Sequence, residues 1–274
     1  MNKLMGIIQA SFAYGEVEQN LKRIEQEIVK LKTTKPDLAI IVLPELAVHG
    51  YGIQQSYKTI AEHAEGDHFD FLSNLAKKYN LYIVYGFAET ANSETQVFNS
   101  ANLISPNGKR LFTHRKIQLT EGERVLFQPG NELGVVSTEL GRVGMLICWD
   151  LAFPDVTSEL AKEKPTLLLA PSAWENPYSE PFHKFAAARA LDYTMFVAAV
   201  NHVGTSGDLE FFGQSAVYSP DGSTLHQLPD QDVSSEIIKW DDSFRIQCEA
   251  EFYTMNKERK KNPPLSRRSM KYNN

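Results

Sequence analysis

The chain has no apolar run near the roughly 20 residues that a helix needs to cross a bilayer. Met1 to Ala10 carries one lysine and a short apolar stretch, which is too little for a secretory leader and better read as a first strand. Cysteine is scarce. Cys148 and Cys248 are the only two thiols in 274 residues, and a pair so far apart is no disulfide framework, so a reducing, cytoplasmic setting is expected. Excess positive charge is absent as well. The formal net charge is −6, which argues against nucleic acid as a partner. No stretch rich in glycine, serine or proline divides the chain, so one unit is expected over 1–250. The segment 251–274 differs. From Phe252 onward it holds seven Lys or Arg against one Glu, with Pro263-Pro264 in the middle, and reads either as a solvated tail or as an arm that packs on a partner subunit.

Aliphatic runs alternating with amphipathic segments fill the rest. Strands are expected at Leu4 to Gln9, Leu38 to Leu43, Leu81 to Phe87, Arg142 to Ile147, Thr166 to Leu169 and Met195 to Val200. Helices are expected at Val17 to Leu31, where Val17, Leu21, Ile24, Ile28 and Leu31 share one face, and at Phe69 to Tyr79, Pro154 to Lys162 and Pro181 to Leu191. Pro106-Asn107-Gly108 and Pro220-Asp221-Gly222 predict hairpins joining Ala101–Ser105 to Lys109–His114 and Phe212–Tyr218 to Ser223–His226. Strands alternating with helices, plus hairpins, make an α/β layered fold.

Three polar residues stand just past apolar strands: Glu45, Lys116 and Cys148. Ligands bind at the carboxyl ends of strands in open α/β sheets, so a carboxylate, an ammonium and a thiol can meet there. Taken singly, each has a plainer reading. A thiol after an apolar strand is most often a small core residue, and a strand-end Glu or Lys is most often solvated. Together they form a coherent set. A partly desolvated carboxylate can take the thiol proton, the thiolate can attack an amide or nitrile carbon, and Lys116 with the Trp149 N–H can hold the oxyanion.

Several ordered motifs carry a resemblance across nearly the whole chain: Leu43-Pro44-Glu45 with Gly50-Tyr51, His114-Arg115-Lys116, Cys148-Trp149-Asp150 with Phe153-Pro154, Pro171-Ser172-Ala173-Trp174, Ala188-Arg189-Ala190, Asn201 with Val203-Gly204, Gly213-Gln214-Ser215, and Arg267-Arg268 with Tyr272 near the end. In this set the chain resembles the nitrilase superfamily of carbon–nitrogen hydrolases. The resemblance implies a four-layer α-β-β-α sandwich that forms a homodimer or a larger homo-oligomer. It implies no cofactor and no metal, and a small-molecule amide as substrate. It also implies that Cys148 is the nucleophile, Glu45 the general base and Lys116 the oxyanion's charge.

A second glutamate is expected between Lys116 and Phe127-Gln128-Pro129-Gly130. Glu121 and Glu123 both qualify, and Glu123 suits the family spacing better, as a group that orients Lys116. Tyr51, Trp149, Ser172 and Trp174 are expected to contact substrate.

The chain also departs from the family pattern. Ala152 stands where many relatives have an arginine before Phe-Pro, which weakens an N-carbamoyl amino acid reading. Leu191-Asp192-Tyr193 replaces a Glu-Asn, a change expected to affect helix packing or the dimer interface rather than chemistry. Asp150 resembles the amidase branches and favours an amide over a nitrile. The remaining readings are a binding module on the same fold and a redox-responsive thiol. Glu62, His63, Asp67, His68 and Asp70 crowd together without a standard metal spacing. Gly66-Asp67 reads instead as a helix start. His183 stands near the site by sequence or is packing, and Cys248 reads as packing.

Overall fold

The computed structural model describes residues 2–53, 56–91 and 96–251. Two six-stranded sheets lie back to back. The first contains β1 (Asn2–Gln9), β2 (Ile40–Val42), β3 (Tyr82–Thr90), β4 (Val97–Ile104) and β5 (Arg110–Arg115), with β14 (Ser234–Asp241) on the far edge beside β1. The second contains β6 (Val135–Thr138), β7 (Gly141–Met145), β8 (Leu167–Ser172), β9 (Phe196–Asn201), β12 (Ala216–Tyr218) and β13 (Thr224–Gln227). Each is built on three parallel strands, β1-β2-β3 in one and β7-β8-β9 in the other, with antiparallel strands at both flanks.

Strand alternation explains the layering. On β2, Ile40 and Val42 face the second sheet, while Ile41 faces helices α1 (Val17–Thr34) and α2 (Asp67–Tyr79). On β8, Leu167 and Leu169 face the first sheet, while Leu168 and Ala170 face α3 (Pro154–Leu160) and α4 (Ser179–Tyr193). Both faces of each central strand are therefore apolar, as parallel strands covered on both sides require. Three cores result, helix on sheet, sheet on sheet and sheet on helix, which is the expected four-layer α-β-β-α sandwich. Each fully buried Leu, Ile or Val in them contributes about 1.5–3 kcal/mol.

Some elements differ from the sequence expectations. The strand expected from Ala101 starts at Val97. Phe212–Tyr218 is not one strand. The chain breaks at Gly213 (φ 74°) and Gln214 (φ 53°), so Phe212 closes β11 (Leu209–Phe212), which pairs with β10 (Val203–Ser206), and β12 begins at Ala216. The hairpin β10-β11 and the strands β6 and β14 were not signalled. Helix α5 (Asp242–Glu251) reaches the point where the basic tail was expected to begin. The remainder of that tail, with Arg267-Arg268 and Tyr272, lies outside the described residues. Among the described residues, no helix is long and apolar enough to cross a membrane.

Candidate active site

The carboxyl ends of the parallel strands meet at one end of the sandwich. Past β2, Pro44 ends the strand and the chain turns through Leu46 in the left-handed region (φ 51°). The turn presses against β3 at Gly86, where a Cβ would lie 2.2 Å from the Leu46 nitrogen, so only glycine fits there. Glu45 points inward and is fully buried. Its backbone is held from the other sheet: its N–H donates to the Ser172 carbonyl (3.4 Å), and His202 Nε2 donates to its own carbonyl (2.5 Å). Burial pulls the His202 pKa down to about 4, so this ring remains a neutral donor.

Lys116 follows β5 and is buried beside Glu45. Its ammonium lies 2.7 Å from Glu45 Oε1 and 2.6 Å from Glu123 Oε1. Glu123 opens a short 3-10 turn, Glu123–Val125. Thr120 and Glu123 bond each other reciprocally ahead of that turn: Glu123 N–H donates to Thr120 Oγ1 (3.3 Å) and Thr120 N–H donates to Glu123 Oε2 (2.9 Å). The Tyr51 hydroxyl donates to Glu123 Oε1 at 3.1 Å. Asn99 on β4 completes the cluster, its amide donating to Glu45 Oε1 (2.6 Å) and to Glu123 Oε1 (3.3 Å).

Cys148 begins a 3-10 turn, Cys148–Ala152, directly after β7. Its φ of 48° is left-handed, a strain of about 1–3 kcal/mol for a residue with a Cβ. Asp150 holds the turn with both oxygens. Oδ2 accepts from the Ile147 N–H (3.0 Å) and from His114 Nε2 (2.9 Å), while Oδ1 accepts from the N–H groups of Ile117 (3.1 Å) and Gln118 (2.7 Å). One buried carboxylate thus ties the cysteine turn to the residues on either side of Lys116. Behind it, Arg189 Nε donates to the Leu151 carbonyl (3.0 Å) and pairs with Asp192 (3.0 Å). Asp192 thereby braces Arg189 behind the cysteine turn.

The electrostatics follow from burial and pairing. Burial lifts the Glu45 carboxyl to about 7, against the opposing pull of Lys116. Burial also raises the Cys148 thiol well above its usual value, and Glu45 adds to this. Desolvation alone would lower Lys116, but Glu123 and Glu45 hold it well above the usual lysine value. Burial would raise Glu123, yet Lys116 keeps it below the usual carboxylate value. The resting cluster is a protonated thiol, a fixed ammonium, an ionised Glu123 and a Glu45 poised to exchange a proton near neutrality. Glu45 Oε2 has no hydrogen-bond partner among the described residues.

A cavity of about 400 Å³ opens above the cluster. Lys116, Cys148, Tyr51, Trp149 and Trp174 line it, together with Glu121 and Glu175. The rings of Trp149 and Trp174 meet at 5.2 Å. Ser172 is not part of the wall. It is fully buried, its hydroxyl turns back to the Ala170 carbonyl (2.9 Å), and its own carbonyl holds Glu45 and His202. Glu121 is exposed at the rim, whereas Glu123 is buried at the floor. His183 lies outside the lining and bonds with Tyr218 (2.5 Å) and Gln214 (2.9 Å). Cys248 is buried elsewhere.

Of the crowded acidic and histidine residues, Glu62 lies 3.1 Å from His68 and 3.7 Å from His49, while Asp67 falls in the first turn of α2. Among the described residues, no group of three or more His, Cys, Asp or Glu is arranged to hold a metal ion. Asn99, His202 and Glu175 were missed by sequence reasoning, and His114 was noted only as part of the motif that ends in Lys116. Asn99 carries a signal in hindsight, as a polar residue inside an otherwise buried strand.

Residues 4–238 match the family model described as carbon-nitrogen hydrolase. A protein of Schizosaccharomyces pombe named "Probable nitrilase" is 34% identical over 89% of this chain and 91% of its own length. A 2-oxoglutaramate amidase of Paenarthrobacter nicotinovorans is 28% identical over 82% of this chain and 79% of its own. Among solved structures, a carbon-nitrogen hydrolase from Helicobacter pylori superposes with a TM-score of 0.84 at 20% identity, covering 95% of this chain and 97% of that one.

Proposed function

Since the chain belongs to the carbon-nitrogen hydrolase family, we propose that it cleaves a small linear amide, of ω-amide or N-carbamoyl type, through a thioester on Cys148. The observation that carries this is the buried contact of Lys116 with both Glu45 and Glu123 at the floor of a cavity that Cys148 also lines. The raised thiol pKa means that sulfur needs a base to become nucleophilic, and Glu45 is the carboxylate placed to act as one.

In the first half-reaction Glu45 takes the thiol proton as sulfur bonds to the amide carbon. The oxyanion forms against the Lys116 ammonium and the Trp149 N–H. As second residue of a 3-10 turn, Trp149 has no carbonyl one turn back to receive that N–H, so it is available. The C–N bond then breaks, the proton on Glu45 passes to nitrogen, and ammonia leaves. In the second half-reaction Glu45 deprotonates a water that attacks the thioester. The C–S bond breaks, the proton returns to sulfur, and the carboxylic acid leaves. Glu123, Asn99 and Tyr51 are positioning residues that keep Lys116 and Glu45 in register.

A nitrile is the second reading, favoured by the name of the Schizosaccharomyces relative. It uses the same nucleophile but adds a hydration step. The reading as a whole includes a homodimer or larger homo-oligomer, supported by the resemblance alone, and a cytoplasmic setting, supported by the scarcity of cysteine; sedimentation of the purified chain tests the assembly.

The deciding experiment is ammonia release from matched amides, carbamoyl amines and nitriles, beside Cys148→Ala. Release that disappears in the variant, together with an acyl adduct on Cys148 seen by mass spectrometry after a rapid quench, is the expected result. Undiminished turnover in Cys148→Ala would sink the mechanism.

A further inference from the structure

Tyr51, Trp149, Trp174 and Tyr178 give the cavity aromatic walls, and its charges are unbalanced. Apart from Lys116, no Lys, Arg or His is among the described residues that line it. Lys116 is itself engaged at 2.7 Å and 2.6 Å by Glu45 and Glu123, which leaves Glu121 at the rim and Glu175 on the wall with no cation of their own among the described residues. Glu175 directly follows Trp174 and is fixed by a bridge to Phe211, with the neighbouring Asn176 N–H bonded to the Glu210 carbonyl at 2.8 Å. It is half-buried, and its carboxyl accepts a hydrogen bond from its own backbone. The carboxyl is near enough to feel Lys116 and Glu123. Nothing in the reaction above uses it. A carboxylate set in a cavity wall without a partner is destabilised by desolvation, and a ligand cation relieves that penalty. Aromatic faces nearby add cation–π attraction.

We propose that the cavity selects small molecules whose distal end is cationic, an alkylammonium or guanidinium that pairs with Glu175, and disfavours those that end in a carboxylate. On the hydrolase reading, on which the substrate class rests, the preferred amides carry an amide at one end and an ammonium at the other. Glu175 is then a specificity-determining residue. A carboxylate tail would meet Glu175 and Glu121 as like charges, with no free cation among the described lining residues to receive it.

The test separates the charge preference from the chemistry. Alkylation of Cys148 by iodoacetamide, followed by mass spectrometry on the full chain, is slowed by whatever fills the cavity. Pentylammonium is expected to protect at about tenfold lower concentration than pentanol, with pentanoate weakest, since close charge pairs couple this strongly or more. Glu175→Gln is expected to bring pentylammonium and pentanol together, and Glu175→Lys to reverse the order in favour of pentanoate. In turnover, ω-aminopentanamide is expected to exceed hexanamide, and hexanamide to exceed glutaramate, in kcat/KM. Equal protection of the wild-type protein by pentylammonium and pentanoate would overturn the proposal, and this comparison needs no variant to fold. Ordered protection without ammonia release from any of the three amides would overturn the hydrolase reading and leave the charge preference standing.

Discussion

Asp150→Asn is the sharpest probe of how the site is assembled. The carboxylate is fully buried and accepts four hydrogen bonds, three from backbone N–H groups and one from His114. An amide in its place offers one oxygen and one NH2. With the NH2 towards Ile117 and Gln118, two backbone donors face a donor. With the NH2 towards Ile147 and His114, the His114 ring must change tautomer and the Ile147 N–H is left unpaired. The second arrangement is the milder one. It leaves one buried donor orphaned and removes the charge assistance from the bonds that survive, a loss of about 3–5 kcal/mol. Denaturant unfolding is expected to report that loss, and thermal unfolding a midpoint lower by roughly 10 °C.

The same change frees the turn that holds Cys148 at φ 48°. Turnover is therefore expected to fall about a hundredfold in the protein that remains folded, the usual effect of a misplacement near 1 Å. Asp221→Asn, in the exposed hairpin turn where the carboxylate accepts from the Ser223 N–H, serves as the control and is expected to shift stability by less than about 0.5 kcal/mol. An Asp150→Asn protein within about 1 kcal/mol of wild type would refute the idea that this carboxylate holds the cysteine turn against Lys116.

Three further predictions follow from the same geometry. Glu45 accepts a proton only when ionised, and its carboxyl is raised from 4.5 to about 7, so kcat/KM should climb with pH, pass half its plateau near pH 7 and level off about one unit higher. A limb centred near 4.5 would remove Glu45 as the base. Lys116→Met leaves Glu45 and Glu123 buried face to face with Asn99 as their one shared donor. Stability should drop by about 3–5 kcal/mol and activity by about a thousandfold, read by urea unfolding and ammonia release, and a stable, active variant would exclude the oxyanion role. Glu62 stays well below the usual carboxylate value because His49 and His68 outweigh the effect of burial. A depressed carboxyl stabilises above its unfolded pKa and loses that contribution as pH falls through its native one. Glu62→Gln should therefore lower the thermal midpoint by a few degrees at neutral pH, for about 1–2 kcal/mol, and by less in acid; an equal loss at both pH values would refute the pairing.

Glu45, Lys116 and Cys148 were legible as candidates because each follows a local signal, an aliphatic strand or a hairpin, whereas Glu123 was singled out only through the resemblance, by the family spacing to Phe127-Gln128-Pro129-Gly130. The central strands were legible for the same reason, since burial on both faces leaves an unbroken apolar run such as Ile40-Ile41-Val42. What was not legible depends on contacts between distant segments. Asn99 lies 54 residues from Glu45 and 24 from Glu123, yet its amide bonds to both. Strand β14 pairs along all eight residues of β1, at the other end of the chain, and its half-buried edge position blurs the alternation that would have marked it. Ser172 was misjudged as a pocket residue because sequence order places it beside Trp174 but not which way its hydroxyl turns.

Glu175 is the most consequential case. Next to Trp174 it reads as an ordinary loop glutamate, and only the bridge to Phe211 turns its position into a wall of the cavity. Two distinct physical origins then account for the two halves of the site. The buried cluster is fixed by ion pairs and hydrogen bonds that tolerate little change, while the far wall is set by the β10-β11 hairpin and the loop facing it, where one side chain alters charge without disturbing the cores. Substrate choice in this chain should therefore respond to single substitutions at Glu175, whereas changes at Asn99 or Asp150 should alter rate and stability together.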